Sequence, residues 1–321
     1  MNDWKTIHRA KGRSFLLKAE QSPSPSDYSK YERLRMAIWG EPADPFSGER
    51  NCLCENYFDL GGSVFLAAYS LDGDGAPDEK WDNFAGFSYG YVGVRDKTVG
   101  YRRVDNLCFY SQYTGIKPSF EGFGLGVAIK EFQKKLVLDL LGVSLISCTY
   151  DPLTSVNAAR NIHRFGMDVL EYKEAHYENF TGRLNRMDVP CDRFYILWDL
   201  KKERLQTAGD LSLFDEPDAF IIRGEPVFIQ GKSGKVELEG VKRMPVKGGA
   251  NRVLLEIPSD FYRMLRETDV DDSETRRIPL EWRLTTRKAF RECFDAGFRV
   301  ADFLMTERDG RRRNAYLLLR D

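Results

Sequence analysis

The passage that most restricts this chain runs from an extended apolar stretch, residues 106–116, through KPSFEGFGLG (117–126) into a helical stripe of Leu125, Ile129, Phe132, Leu136 and Leu140. The stripe steps by four, three, four and four residues, the spacing of one buried helix face. Gly142 follows its last member and suits a helix end. Gly122, Gly124 and Gly126 stand where strand becomes helix. Glycine reaches backbone conformations closed to other residues and leaves its amide uncovered. The first amides of a helix have no partner inside it, and the helix dipole adds partial positive charge there. Such a corner is either an anion site suited to a di- or triphosphate or a tight turn without a ligand.

Three nucleotide-binding readings compete for it. A dinucleotide fingerprint requires G-x-G-x-x-G after the first strand of its unit, with an acidic residue about twenty positions later. Here the spacing is G-x-G-x-G and several strands come first. A P-loop requires Lys-Ser or Lys-Thr after its last glycine, and neither follows. The third reading is the turn that holds the pyrophosphate of coenzyme A.

Around this corner the chain alternates between strand and helix patterns. Residues 14–20 suit a first strand. A helix capped by Ser26 or Asp27 follows, with Tyr28, Tyr31, Leu34 and Ile38 on one face and Gly40 and Pro42 at its end. Residues 63–71 and the aromatic, glycine-rich 84–94 suit strands. Residues 143–150 have the continuous apolar run of a strand buried on both faces. A second helix spans about 155–165 with Gly166 as its cap. Strands start at Met167 and at Phe194, separated by a long irregular segment. After a polar connector come three more strands, a short helix ending near Glu267 and a charged loop, TDVDDSETRR. A helix over 280–296 and a hairpin turning at Asp309-Gly310 complete the chain. The arginines of 311–313 are expected to form a solvated tip.

Composition narrows the classes. Lys plus Arg number 48 and Asp plus Glu 49, a net charge of −1, so no overall basic footprint for nucleic acid is present. No apolar run is long enough to span a bilayer, and no signal peptide is visible. A cytoplasmic protein is therefore expected, with no membrane or nucleic-acid partner. Six cysteines in 321 residues are too few for a disulfide scaffold. Cys52 and Cys54 read as structural thiols, and His8, His163 and His176 are too scattered for a metal site.

The order strand, helix, strand, strand, long strand, G-x-G helix, strand, helix, strand, strand resembles the GNAT acyltransferase superfamily. TYDPLTSVNAARNIHRFGMDV (149–169), a late DRF (192–194) before the closing strand, and EWRLTTRKAFRECFDAGFRVADF (281–303) are similar to one branch of it, a set of predicted GNAT acetyltransferases carrying DPL-x-S-x-NA and an extra C-terminal region. The resemblance implies an α/β (α+β) fold. A GNAT-like central mixed sheet flanked by helices occupies 1–204, and a smaller α+β domain of unknown role occupies 205–321. It implies an acyl-CoA-dependent N-acyltransferase, with acetyl-CoA or another acyl-CoA as co-substrate, no metal, and a small amine or amino-acid-like acceptor. Peptide acylation with the C-terminal domain as recognition module, and a homodimer, stay open. The alternative is a catalytically degenerate relative that binds a ligand or partner.

On this chain the resemblance puts the pantetheine arm along Tyr113, Thr114, Gly115 and Ile116. The pyrophosphate meets the amides of Phe123, Gly124, Leu125, Gly126 and Val127. Asn157, Asn161 and Arg164 stand beside the cofactor. Proton transfer falls to His176, Tyr172 or Tyr110, with Gln112 acting through water and Tyr177 as further candidates. Three positions depart from the family pattern: Glu121 stands where Gln or Arg is usual, Phe123 where a basic residue is usual, and Ile162 where many members carry a tyrosine that protonates the departing thiolate.

Overall fold

The computed structural model describes residues 4–22, 24–40, 61–71, 78–176, 184–203, 210–245, 249–308 and 310–320. The chain divides into two compact units, Met1–Cys148 with Asp199–Lys202, and Thr149–Trp198 with Glu203–Asp321. Cys52, Cys54, Tyr177 and Asp309 of the expected turn lie outside the described residues.

The first unit is built on a mixed sheet. β1 (Lys5–Ala10), β2 (Arg13–Ala19), β3 (Ser63–Leu71), β4 (Phe84–Val94) and β5 (Leu107–Ile116) run side by side in chain order. Each is antiparallel to the next, and β6 (Leu145–Tyr150) then pairs parallel to β5. Helix α1 (Ser29–Trp39) lies on one face. Its Tyr31 and Leu34 pack with Phe65, Ala67 and Tyr69 of β3 and with Phe87 and Tyr89 of β4. Side chains alternate across a strand, so the even-numbered residues of β4 point the other way, where α2 (Leu125–Leu141) covers them. There Gln133 Nε2 donates to Ser88 Oγ at 2.8 Å, and Lys130 Nζ donates to Ser111 Oγ at 2.5 Å. β3 is buried along nearly its whole length, as a strand between two helical layers must be.

The second unit contains α3 (Ser155–Ala158), which widens into a π turn over Ala159–Arg164, and the antiparallel pair β7 (Asp168–Lys173) and β8 (Arg193–Asp199). A five-stranded sheet follows in the order β10-β9-β11-β13-β12, from β9 (Phe220–Gly231), β10 (Gly234–Arg243), β11 (Arg252–Ile257), β12 (Arg299–Arg308) and β13 (Arg311–Leu319). Helices α4 (Phe261–Glu267) and α5 (Ser273–Asp295) complete it. The expected class is the one observed: a mixed sheet flanked by helices, and a second, smaller sheet with its own helices.

Three local expectations need correction. β1 was not anticipated, because its apolar content is low; it forms as the outer arm of a hairpin turning at Lys11 and Gly12, whose φ of 50° and 73° make the tight, positive-φ turn that fits twisted strands. Helix α5 begins at Ser273, inside the stretch read as a charged loop. Asp272 caps it by accepting from Thr275 N at 2.8 Å, and the helix carries Pro279 in its interior. The arginines of 311–313 are not all solvated: Arg313 makes a two-pronged contact with the buried Glu256 at 2.7 and 2.9 Å and lies over the rings of Phe214 and Phe220.

Two buried ion pairs hold the second unit together. Arg283 and Arg287 stand one turn apart on α5. Arg283 reaches Asp151 with both nitrogens at 2.9 and 2.5 Å, and the two residues are 1% and 3% exposed. Arg287 grips Asp192, which is fully buried, at 2.8 and 2.6 Å. These carboxylates belong to the DPL and DRF segments, so the motif aspartates serve the packing of α5. A buried charge left without its partner is costly, whereas a matched pair replaced by apolar groups of similar volume is not. Arg283→Ala is therefore expected to cost about 3–5 kcal/mol, read as a fall in the urea midpoint, while Asp151→Leu/Arg283→Met recovers most of it. Equal stability of Arg283→Ala and the parent would refute the role given to the pair.

Candidate functional site

The site is built where β5 leaves its parallel neighbour. β5 pairs with β6 only through Phe109–Ile146 and Tyr110–Ser147, although it continues six residues further, to Ile116. Beyond Tyr110 its described partner is β4 alone. The β4–β5 register shifts between Tyr89 and Gly90, which sets one extra residue, Gln112, against β4. A strand that diverges from its parallel neighbour opens a gap between the two, a place that can hold an extended amide chain.

After β5, Pro118–Phe120 makes a single 3-10 turn and the chain enters the glycine corner. Gly122 has φ 80° and Gly124 φ 72°, left-handed values that other residues rarely adopt. Gly124 is the residue preceding α2, and its carbonyl accepts from Val127 N and Ala128 N, both at 3.1 Å. The amides of Phe120 and Glu121 are also used inside the turn, on the carbonyls of Lys117 and Pro118. Those of Phe123, Gly124, Leu125 and Gly126, at the start of α2, have no backbone acceptor among the described residues. Val127, expected among the donors, has its amide on Gly124.

The corner is held from outside by the β1–β2 hairpin. His8 Nε2 donates to the carbonyl of Phe123 at 2.7 Å, which fixes the tautomer that carries hydrogen on Nε2. Phe15 of β2 packs its ring against Phe120 and Phe123, at 6.1 and 5.5 Å between centroids. No motif in the sequence connects His8 with this corner. The Lys11-Gly12 turn was the available signal for the hairpin, but nothing local indicates that the hairpin folds against residues 115 positions away. Lys117 and Lys130, the cations near Glu121 in sequence, are engaged elsewhere. Lys117 Nζ donates to the carbonyl of Trp81 at 3.2 Å, and Lys130 to Ser111 and Gln133.

The remaining candidates are placed as follows. Gly115 faces α1, and a Cβ there would lie 2.6 Å from Ile38 and 2.8 Å from Trp39, so close packing requires glycine. Ile116 turns the other way and fills the space beside Gly86. Tyr110 is half-buried with its ring 5.7 Å from that of Tyr91. In the second unit, Asn157 donates to Thr154 Oγ1 at 3.0 Å and accepts from Arg160 at 2.8 Å. Asn161 is buried, accepts from Arg160 at 3.2 Å, and its Nδ2 has no acceptor among the described residues. Arg164 is exposed at the end of the π turn. Ile162 is buried, and His163 turns to Asp302 at 3.0 Å.

Tyr172 donates to Asp192 at 2.7 Å, the same carboxylate that Arg287 holds, and its ring packs on Phe194 and Phe290. Burial raises its pKa well above that of an ordinary tyrosine, with Asp192 adding to the effect. His176 is exposed. Loss of part of its hydration, then the neighbouring Lys173 and Arg193, lower its pKa below the ordinary histidine value. Among the described residues no group of three or more His, Cys, Asp or Glu is arranged to hold a metal, and no helix is long and apolar enough to cross a membrane. Cys108, Cys148, Cys191 and Cys293 are buried thiols.

No protein-family model matches this chain, and no curated protein matches it either. Among solved structures it is similar to Arabidopsis thaliana NAA60 in complex with acetyl-CoA, at 12% identity and TM-score 0.43, over 59% of this chain and 99% of that one. It is similar to the ribosomal-protein-S5-alanine acetyltransferase from Vibrio fischeri, at 9% identity and TM-score 0.42, over 62% of this chain and 100% of that one. It is likewise similar to the ribosomal-protein-S18-alanine N-acetyltransferase from Escherichia coli, at 12% identity and TM-score 0.40, over 59% of this chain and 97% of that one.

Proposed function

We propose that this chain is an acyl-CoA-dependent N-acyltransferase, an acetyltransferase in the first instance, acting on a small amine or amino-acid-like acceptor. One observation carries the reading: β5 runs on for six residues past Tyr110–Ser147, its last described pair with β6, and leads directly into a left-handed glycine corner at the start of a 17-residue helix. The diverging strand suits the amide-bearing pantetheine arm, and the corner suits the diphosphate that follows it. The motifs of 149–169 and 192–194 resemble the same superfamily.

In this proposal the neutral amine attacks the thioester carbonyl carbon, the carbon–sulfur bond breaks, and the thiolate leaves. Holding both reactants in line supplies much of the rate. Backbone amides on the β5 edge, beside the bulge at Gln112, stabilise the developing oxyanion. The ammonium proton passes to a base. Of the candidates, His176 has a reference pKa in the right range, and the downward shift favours its neutral, proton-accepting form. Tyr110 is the second choice. Tyr172 is the weakest, since its hydroxyl is bound to Asp192 inside the core. With Ile162 in the slot of the family tyrosine, the thiolate takes its proton from water. That missing acid and the engaged Tyr172 favour one second reading, a domain that binds the thioester carrier or a partner without turning it over. The role of residues 205–321 in recognising an acceptor, peptide or small molecule, and a cytoplasmic location belong to the proposal as well.

Titration calorimetry with acetyl-CoA, paired with thiol release over a panel of amines, tests it. Micromolar binding and amine-dependent thiol release are expected; binding without release selects the second reading. Neither heat nor a thermal shift at millimolar ligand would reject the transferase reading and leave only a partner-binding domain. Gly124→Val forces a β-branched residue into a left-handed conformation, worth about 1–2 kcal/mol of strain, and is expected to weaken acetyl-CoA binding at least tenfold. An unchanged Kd for that variant would place the diphosphate elsewhere.

The pH profile follows from His176. A base works when deprotonated, and this pKa lies below the ordinary 6.5. The acidic limb of kcat/KM is therefore expected to have its midpoint under 6.5 and to vanish in His176→Gln. A limb retained in that variant would move the role to Tyr110 or to water.

A further inference from the structure

The glycine corner has a charge deficit. Its loop offers Glu121, whose carboxylate opposes any diphosphate, and Lys117 is turned to Trp81. Open amides alone must then balance two or more negative charges. The β1–β2 hairpin brings other cations to the same place. Lys11 and Gly12 form its turn, and Arg13 opens β2 opposite Ala10. The guanidinium of Arg13 lies 5.3 Å from the centre of the Phe120 ring and 5.4 Å from that of Phe123, within cation–π reach of both. Lys11 Nζ stands 5.9 Å from the Phe123 ring and 3.7 Å from where a Cβ on Gly122 would lie. Both side chains are exposed, and neither forms an ion pair with a carboxylate among the described residues.

We infer that the β1–β2 hairpin supplies the cationic half of the diphosphate site. Lys11 and Arg13 give the charge that the loop lacks, and His8 is the positioning residue that ties the hairpin to the corner through the Phe123 carbonyl. This rests on the transferase reading above. The tight turn makes the arrangement specific, since a two-residue turn with both central residues at positive φ fixes where its side chains emerge. Phe123, standing where a cation is usual in the family this chain resembles, here lies within reach of two cations from the hairpin, one in its turn and one at the start of β2. Charge-assisted contacts to phosphate oxygens are stronger than neutral ones and weaken as salt screens them.

The test compares the full-length protein with Lys11→Gln/Arg13→Gln by titration calorimetry at low and high salt, using acetyl-CoA, S-acetyl-pantetheine (which lacks the diphosphate) and inorganic pyrophosphate. Thermal melts of both proteins establish that the variant is folded. The expected result is at least a tenfold loss of acetyl-CoA affinity at low salt, a smaller salt dependence, and unchanged S-acetyl-pantetheine binding. Lys11→Arg, which keeps the charge, retains most of the parent affinity. A double variant that binds acetyl-CoA as the parent does, with the same salt dependence, overturns the hairpin's role and leaves the transferase reading intact. Parent protein that binds pyrophosphate through these residues but neither thioester keeps the hairpin as an anion site and removes the transferase reading. Binding of none of the three removes both.

Discussion

Two arginines one turn apart on a single helix organise the second unit. Arg283 and Arg287 enter the core with their charges intact, and each is matched by a carboxylate that has no access to water, Asp151 and Asp192. Neither acid makes only that contact. Asp151 also accepts from Leu153 N at 2.9 Å, which sets the turn leading into α3. Asp192 also receives Tyr172 and the amide of Ala175. Each buried carboxylate thus fixes a loop and a helix together. The hydroxyl of Tyr316 on β13 adds a further tie, donating to the carbonyl of Pro152 at 2.8 Å. Segments 149–198 and 203–321 are one compact body for this reason.

In the first unit the governing constraint is the loss of pairing along one strand. A parallel strand that follows its neighbour throughout would leave no edge, and a chain without glycine could not turn so sharply from β5 into α2. Here the ladder to β6 ends at Tyr110, the register against β4 shifts at Gln112, and two left-handed glycines redirect the chain. The polar group of Ser88, Gln133, Lys130 and Ser111 lies on the α2 side of the same strands and anchors that helix to them. Opposite, Ile38 and Trp39 of α1 press so closely on Gly115 that only glycine fits. The strand is therefore braced on both faces.

Periodic elements were readable before the structure. β3 and β4 have the bounds that their apolar runs suggested, and α2 runs from Leu125 to Leu141 as its stripe required. What escaped notice lacked a local signature. β1 is mostly polar and exists because β2 pairs with it. The first turns of α5 look like a charged loop until Asp272 is seen capping them, and Pro279 concealed their continuity. Arg313 shares a basic run with exposed neighbours, but its strand points it at Glu256. At the candidate site the glycine corner was legible because conformation and amide exposure are properties of the residues themselves. The hairpin behind it was not, because His8 and Phe123 meet only through the fold.

The amino-acid sequence by itself determined the local elements, the position of the glycine corner and the absence of an overall basic charge, since periodicity, backbone freedom and charge are counted along the chain. Tertiary structure alone decided partners. Asp151 and Arg283 are 132 residues apart, and His8 and Phe123 are 115. No spacing rule links such residues, because the energy that joins them arises only once both have left water.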